Sequence, residues 1–333
     1  MRRLCTSDWQ LTDNPRDRYR TTFVVNEIPK LVEKYKPDQL IFLGDLTENK
    51  DEHPASLVNE VVEFFSFISC KTDVIILQGN HDFLHKEHPF FAFVENFKNI
   101  HWISKPEVLD GCLYLPHTRD YKQDWKDVDF KGHDFIFCHN LFDGVKANGQ
   151  KLSGIPTSIF PDDAVVLSGD VHEPQELDGG KVIYVGSPFL TDFGDDFQPR
   201  ILLLDDLKIK SIKVYGPQKR VIEATPEQGV GGPLRFRHSP QLHTSDIVKI
   251  KVNIGMEHVA EWDKWRSLAE KWAIDRGLVV NSIIPVVSYD VGERAKPVKG
   301  QRKSDKQYLE AFVSRSGIDK KTAEIGKEIV DQV

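Results

Sequence analysis

The chain has 333 residues, with 20 Phe, 8 Tyr and 6 Trp, and a formal net charge of −7. That content can fill a sizeable core and excludes a disordered chain, and the length suits one large domain plus a smaller one. The acidic balance excludes a global electrostatic case for nucleic-acid binding and leaves only a local basic face.

The first element is a strand-like lead-in, "RRLCT", running into "SDWQL" (7–11). If the chain stays extended there, Asp8 and Gln10 face one side, because strand side chains alternate with period two. "RYRTTFVVNEIPKLVEKYK" (18–36) is an amphipathic helix in which Pro29 predicts a late start or a kink. "QLIFLGD" (39–45) is a buried strand, and "PASLVNEVVEFFSFIS" (54–69) a helix entered at Pro54. Further compact apolar runs follow in "DVIILQGNHD" (73–82), "DFIFCHN" (134–140), "AVVLSGDVH" (164–172) and "KVIYVGSP" (181–188). Each is rich in Ile, Val or Phe and ends in Gly, Asn or Asp, the pattern of strands covered on both faces. Strands alternating with helices predict a layered α/β architecture.

Beyond Ser187 the texture changes. Residues 200–216 read as a hairpin with an Asp-Asp turn, and 225–242, rich in Gly, Pro and Gln, as a linker. A strand is expected over 245–254, a helix over 257–277 stopped by Gly277, and a strand over 278–291 interrupted by Pro285. A basic polar stretch (292–306) and two helices broken at Gly317 close the chain. Domains are therefore expected at 1–216, 217–293 and 294–333. Cys5, Cys70, Cys112 and Cys138 form no C-x-x-C pair and read as small hydrophobes in a reducing compartment. No apolar leader is present and no run nears the ~18 apolar residues of a span, so a cytoplasmic protein without a membrane partner is expected.

The chemistry lies in where the polar residues fall. Asp8, Asp45, Asn80, His139, Asp170 and His172 each follow a buried run, and open α/β sheets bind ligands outside the carboxyl ends of their strands. Singly, such residues are usually turn formers or satisfied core groups. Together they fit a site with two divalent ions about 3.5–4 Å apart, which activates water for phosphoryl displacement. Asp45 is the natural bridging carboxylate, and Gly44 and Gly79 let the backbone approach closely.

In chain order, "TSDWQL", "LGDLTEN", "QGNHDF", "FCHN", "SGDVHEPQ" and "YVGSPFLTDFGD" resemble the calcineurin-like metallophosphoesterases. The Trp after the first Asp and the "GSP…FGD" ending resemble most the SbcD-type nuclease subunit of bacterial or bacteriophage DNA repair. The resemblance covers residues 1–216. It implies an α/β fold, a four-layer αββα metallophosphoesterase sandwich with a small α+β cap domain and C-terminal helices. It implies a metal-dependent DNA nuclease, with DNA as partner and an SbcC-type ATPase docked through the terminal helices; those helices would also suit a homodimer. One metal would take Asp8, Gln10, Asp45 and His172, the other Asp45, Asn80, His139 and Asp170. His81 would stand beside the scissile phosphate as stabiliser or acid, oriented by Asp82.

Two positions depart from that family. Its first motif is usually Asp-x-His, here Asp8-Trp9-Gln10, and its last Gly-His-x-His, here Gly169-Asp170-Val171-His172. Each metal exchanges an imidazole for an oxygen, which favours Mn²⁺, then Mg²⁺, over softer ions and makes the Gln10 site the weaker. His117 and Arg119, after another strand-like run, and Lys299, Arg302 and Lys303 of the basic stretch are candidate substrate contacts. The alternatives are a phosphodiesterase or phosphatase on RNA or small phosphoesters, and a metal-depleted scaffold or DNA-binding protein.

Overall fold

The computed structural model describes residues 1–147, 149–227, 233–237 and 242–288. A first six-stranded sheet joins β1 (Arg2–Thr6), β2 (Gln39–Phe42), β3 (Asp73–Leu77), β4 (Ile100–Ile103), β13 (Arg200–Asp205) and β14 (Lys208–Lys213). Its order is β14-β13-β1-β2-β3-β4, with β1 to β4 parallel and the β13–β14 hairpin antiparallel. The second sheet joins β5 (Glu107–Leu109), β6 (Cys112–Leu115), β7 (Ile136–His139), β10 (Val166–Gly169), β11 (Gln175–Leu177) and β12 (Val182–Tyr184) in the order β11-β12-β10-β7-β6-β5. A small ribbon, β8 (Lys146–Ala147) with β9 (Gln150–Lys151), stands apart.

The strands alternate between two cores. Leu4, Leu40, Phe42, Val74 and Ile76 lie under α1 (Tyr19–Tyr35) and α2 (Ala55–Ile68). Their neighbours Cys5, Ile41, Leu43, Ile75 and Leu77 face Tyr114, Phe135, Phe137 and Leu167 of the second sheet. Coverage on both faces is why these runs are apolar without interruption. Trp125, Phe142 and Phe160 cover the far side of the second sheet, carried by loops and the single turn α3 (Tyr121–Asp124). The layers are thus helix, sheet, sheet and a thin outer layer, the αββα sandwich of an α/β protein. α1 runs through Pro29 without the expected late start. The carbonyl that loses its partner is that of Val25, at a 40% exposed position open to water.

A third sheet follows: β15 (Lys219–Pro226), β16 (Leu234–Arg237), β17 (Ile247–Gly255) and β18 (Val279–Ser288), ordered β16-β15-β17-β18. α4 (Trp262–Ile274) covers one face through Trp265, Ala269 and Ala273. Two expectations are corrected. The segment 225–242 is not simply a linker, since it contains β16 and the end of β15. Pro285 does not interrupt its strand, because β18 is an edge strand where a missing N–H need not cost a ladder bond. The helix begins at Trp262, after a 3₁₀ turn, and Gly277 takes the left-handed conformation expected of a stop, with φ 66°.

Cys5, Cys112 and Cys138 are buried and Cys70 is exposed, all as free thiols. Among the described residues no helix is long and apolar enough to cross a membrane. The basic stretch with Lys299, Arg302 and Lys303, and the expected terminal helices, lie outside the described residues.

Candidate metal centre

The parallel strands β1, β2 and β3 and their counterparts β7 and β10 deliver their following loops to one rim. β1 stops at Thr6, and Asp8 (φ 53°) and Gln10 (φ 41°) are both left-handed, so the chain is not extended there and the period-two argument does not apply. The loop after β1 instead runs alongside the loop after β2. The N–H groups of Asp8, Gln10 and Leu11 donate to the carbonyls of Gly44, Asp45 and Leu46 at 3.0, 2.9 and 2.9 Å. Asp45 (φ 61°) and Asp170 (φ 80°) are left-handed as well. Such conformations are uncommon for non-glycine residues and concentrate where a site must aim its side chains.

His139 sits at the centre, fully buried at the end of β7. Three glycines wall its ring. A Cβ on Gly44 would stand 2.7 Å from Nδ1, on Gly169 2.6 Å from Nδ1, and on Gly79 2.9 Å from Cε1. Nδ1 donates to the Leu43 carbonyl, which turns Nε2 toward the acidic side chains. Facing Nε2 are Asn80 Oδ1 at 2.9 Å, Asp45 Oδ1 at 3.2 Å and Asp170 Oδ1 at 3.8 Å. Ligand atoms of Asp8, Asp45 and His139 all lie within 4.8 Å of one another.

The electrostatics call for a cation. Burial pushes the Asp8 carboxyl up, and pushes Asp170 up to about 6. Burial also opposes ionisation of Asp45, but His139 and the His81 N–H outweigh it and hold that carboxyl at about 2. With its oxygen turned inward, Asn80 meets Asp45 and Asp170 acceptor to acceptor at 3.2 to 3.3 Å, a conflict that turning its NH2 inward or placing a cation there relieves. A divalent ion among these atoms removes the conflict, and three carboxylates with imidazole and amide oxygen form a hard donor set. The residues present fit the metal.

The remaining expected residues fall at graded distances. His172 is close enough to Asp8 and Asp170 to favour their ionised forms. Its Nδ1 lies 2.8 Å from Thr191 Oγ1, whose hydroxyl donates to Asp195, so His172 donates to Thr191 and keeps Nε2 free. Gln10 reaches the rim by its backbone: its carbonyl accepts from Arg20 at 3.1 Å, and among the described residues no hydrogen bond joins its amide to Asp8, Asp45 or His139. His81 Nδ1 donates to the Glu48 carbonyl at 2.7 Å, leaving Nε2 outward. Contrary to the expectation from sequence, Asp82 does not orient that ring. Its carboxylate instead takes the backbone N–H groups of Asp45, Leu46 and Gly79. His117 donates to the His139 carbonyl at 3.1 Å, and with Arg119 it lines an open groove beside the rim.

Sequence reasoning missed Ser7, which donates to Asp8, and the roles of Thr191 and Asp195. The "FLTDFGD" stretch signals the last two but states no geometry. Glu48 and Leu43 act through backbone carbonyls, which no side-chain pattern reveals.

A model of the calcineurin-like phosphoesterase family matches residues 1–212. No curated protein sequence matches the chain. Among solved structures, the chain is similar to the crystal structure of Pseudomonas putida nuclease MPE. The match has 16% identity and a TM-score of 0.35, and covers 63% of this chain and 87% of that one.

Proposed function

The chain belongs to the calcineurin-like phosphoesterase family and hydrolyses phosphoesters; from that premise we propose a DNA nuclease that cleaves phosphodiester bonds with two divalent ions, Mn²⁺ before Mg²⁺. The observation that carries the reading is the convergence of Asp8, Asp45 and His139 on one rim, with Asn80, Asp170 and His172 around them. Asp8, Asp45 and His172, with Gln10 as the weak fourth donor, would hold one ion, and Asp45, Asn80, His139 and Asp170 the other. Bound there, the ions supply Lewis-acid activation of water and of the phosphoryl oxygens.

The chain's own residues do the rest. Asp45 is fixed by the His81 N–H at 2.8 Å and can serve both halves of the site. The Glu48 carbonyl holds the His81 ring so that Nε2 faces the substrate side, where a protonated imidazole donates to the leaving oxygen. Three glycines allow the loops to close on His139 and exclude water from its inner edge.

A polymeric substrate is supported by the third sheet. On its face opposite α4, Arg235, Arg237, Lys249 and Lys251 accompany one acid, Glu223, among the described residues. Such a face suits a phosphate backbone. Taken as a cap domain over 217–293 beside a catalytic domain over 1–216, it belongs to the DNA-repair reading. An SbcC-type ATPase or a second copy as partner rests on residues outside those described.

A reading as a metal-depleted scaffold is favoured only by Gln10 and Asp170 standing where the family has histidine. The retained donors and His81 oppose it. The deciding experiment digests end-labelled single- and double-stranded DNA with Mn²⁺, Mg²⁺ or chelator, beside an aryl phosphodiester. Metal-dependent cleavage of DNA is expected. Cleavage of the aryl ester alone would move the reading to small phosphoesters, and no cleavage of either would favour the scaffold.

A further inference from the structure

Lys219 is the first residue of β15, yet its side chain is only 4% exposed and reaches out of the third sheet. Its Nζ meets Asp17 Oδ1 at 2.8 Å and donates to the Thr191 carbonyl. The ammonium lies 5.5 Å from the Tyr19 ring centre and 5.4 Å from that of Phe193. A buried ammonium is costly unless paired, so these partners are a built site for one cation.

Both partners lead to the metal rim. Thr191 accepts from His172 through its hydroxyl, and Asp195 anchors the Thr191 N–H at 2.7 Å. Asp17 is shared with Arg20 at 3.5 Å, and Arg20 donates to the Gln10 carbonyl and stands 3.5 Å from the Glu48 carboxylate. Glu48 in turn holds His81 through its carbonyl. One lysine therefore joins β15 to the segment behind His172 and, through Asp17 and Arg20, to the loops that carry Gln10 and His81.

We propose that Lys219 is a positioning residue that couples the third sheet to the metal centre, setting His172 through the Thr191 backbone and the Gln10 and Glu48 loops through Asp17–Arg20. This rests on the metal-centre reading above. Partners that orient metal ligands typically change affinity about 10- to 100-fold when lost, and Lys219 acts one contact further out, so the lower end is expected.

The test is calorimetric titration of Mn²⁺ into the full chain, with no substrate, for wild type, Lys219→Met and Lys219→Arg, with melting curves in chelator recorded alongside. Lys219→Met is expected to bind Mn²⁺ about tenfold more weakly, and Lys219→Arg to recover most of that loss. A variant that melts earlier in chelator yet binds Mn²⁺ as wild type does would overturn the proposal, because Lys219 would then only fasten the sheet. Asp17→Asn, near-isosteric, gives the same readout if Lys219→Met does not fold, with the same weakening expected. No Mn²⁺ binding by wild type would overturn the metal-centre reading itself, and this inference with it.

Discussion

Asp82 accepts the backbone N–H of Asp45 at 3.0 Å, and the same carboxylate takes those of Leu46 at 2.8 Å and Gly79 at 2.6 Å. One buried acid thus locks the loop after β2 to the loop after β3, and fixes the carboxylate proposed to bridge the metals. Asp82→Ala leaves three buried donors unsatisfied and is expected to destabilise the fold by about 3–5 kcal/mol. Asp82→Asn keeps an accepting oxygen and is expected to cost about half as much. Urea unfolding of both variants checks this, and equal losses would refute the loop-locking role.

His81 stands outside the group of candidate ligand atoms formed by Asp8, Asp45 and His139, and among the described residues its Nε2 has no hydrogen-bond partner. His81→Ala is expected to lower kcat on DNA in Mn²⁺ by about 10²–10⁴-fold. Mn²⁺ affinity, read by calorimetry, is expected to stay at the wild-type value. A parallel fall in affinity would return His81 to the ligand set.

Gly79 has no room for a methyl group: a Cβ there would lie 2.6 Å from the Asp45 N and 2.9 Å from His139 Cε1. Overpacking of this kind costs about 1–3 kcal/mol, and here it also displaces two proposed ligands. Gly79→Ala is therefore expected to fold with a lowered melting temperature and to lose Mn²⁺ binding. Gly132, whose Cβ would meet nothing within 4 Å, is the control for the space argument, its φ of 73° contributing backbone strain alone.

Gln10 offers a neutral amide where the family usually has imidazole. Gln10→His is expected to tighten the weaker Mn²⁺ site about tenfold, with the other site unchanged, in a two-site titration. Equal affinities for both sites in both proteins would show that the amide is not what weakens it.

Metal removal is expected to lower stability. A ligand that binds only the folded state at a hundred times its Kd stabilises by about 2.7 kcal/mol. Melting should therefore rise with added Mn²⁺ and return to the chelator value after dialysis. A melting temperature indifferent to Mn²⁺ at concentrations that support cleavage would contradict a preformed buried site.

The convergence of the candidate donors was legible because each follows a buried parallel strand, and parallel strands bring their carboxyl ends to one edge. Sequence order alone therefore placed Asp45, Asn80 and His139 together. The expected facing of Asp8 and Gln10 failed because it assumed extended backbone where both residues are left-handed. The role given to Asp82 failed because adjacency to His81 was taken for contact. The strand β16 was missed because Gly- and Pro-rich flanks outweighed a short "LRFR" whose partner, Glu223 to Pro226, is supplied by another segment.

By itself, then, the sequence determined the layered α/β class, the order of the motifs and which polar residues follow the buried strands, since these depend on local periodicity and residue chemistry. Tertiary structure alone decided which nitrogen of His139 faces the acids and which of His81 is bound to Glu48, that Asp82 binds backbone rather than histidine, and that Lys219 lies between Asp17 and Thr191. Those facts depend on contacts between residues 3 to 202 positions apart, and no local pattern carries information about partners brought together only by folding.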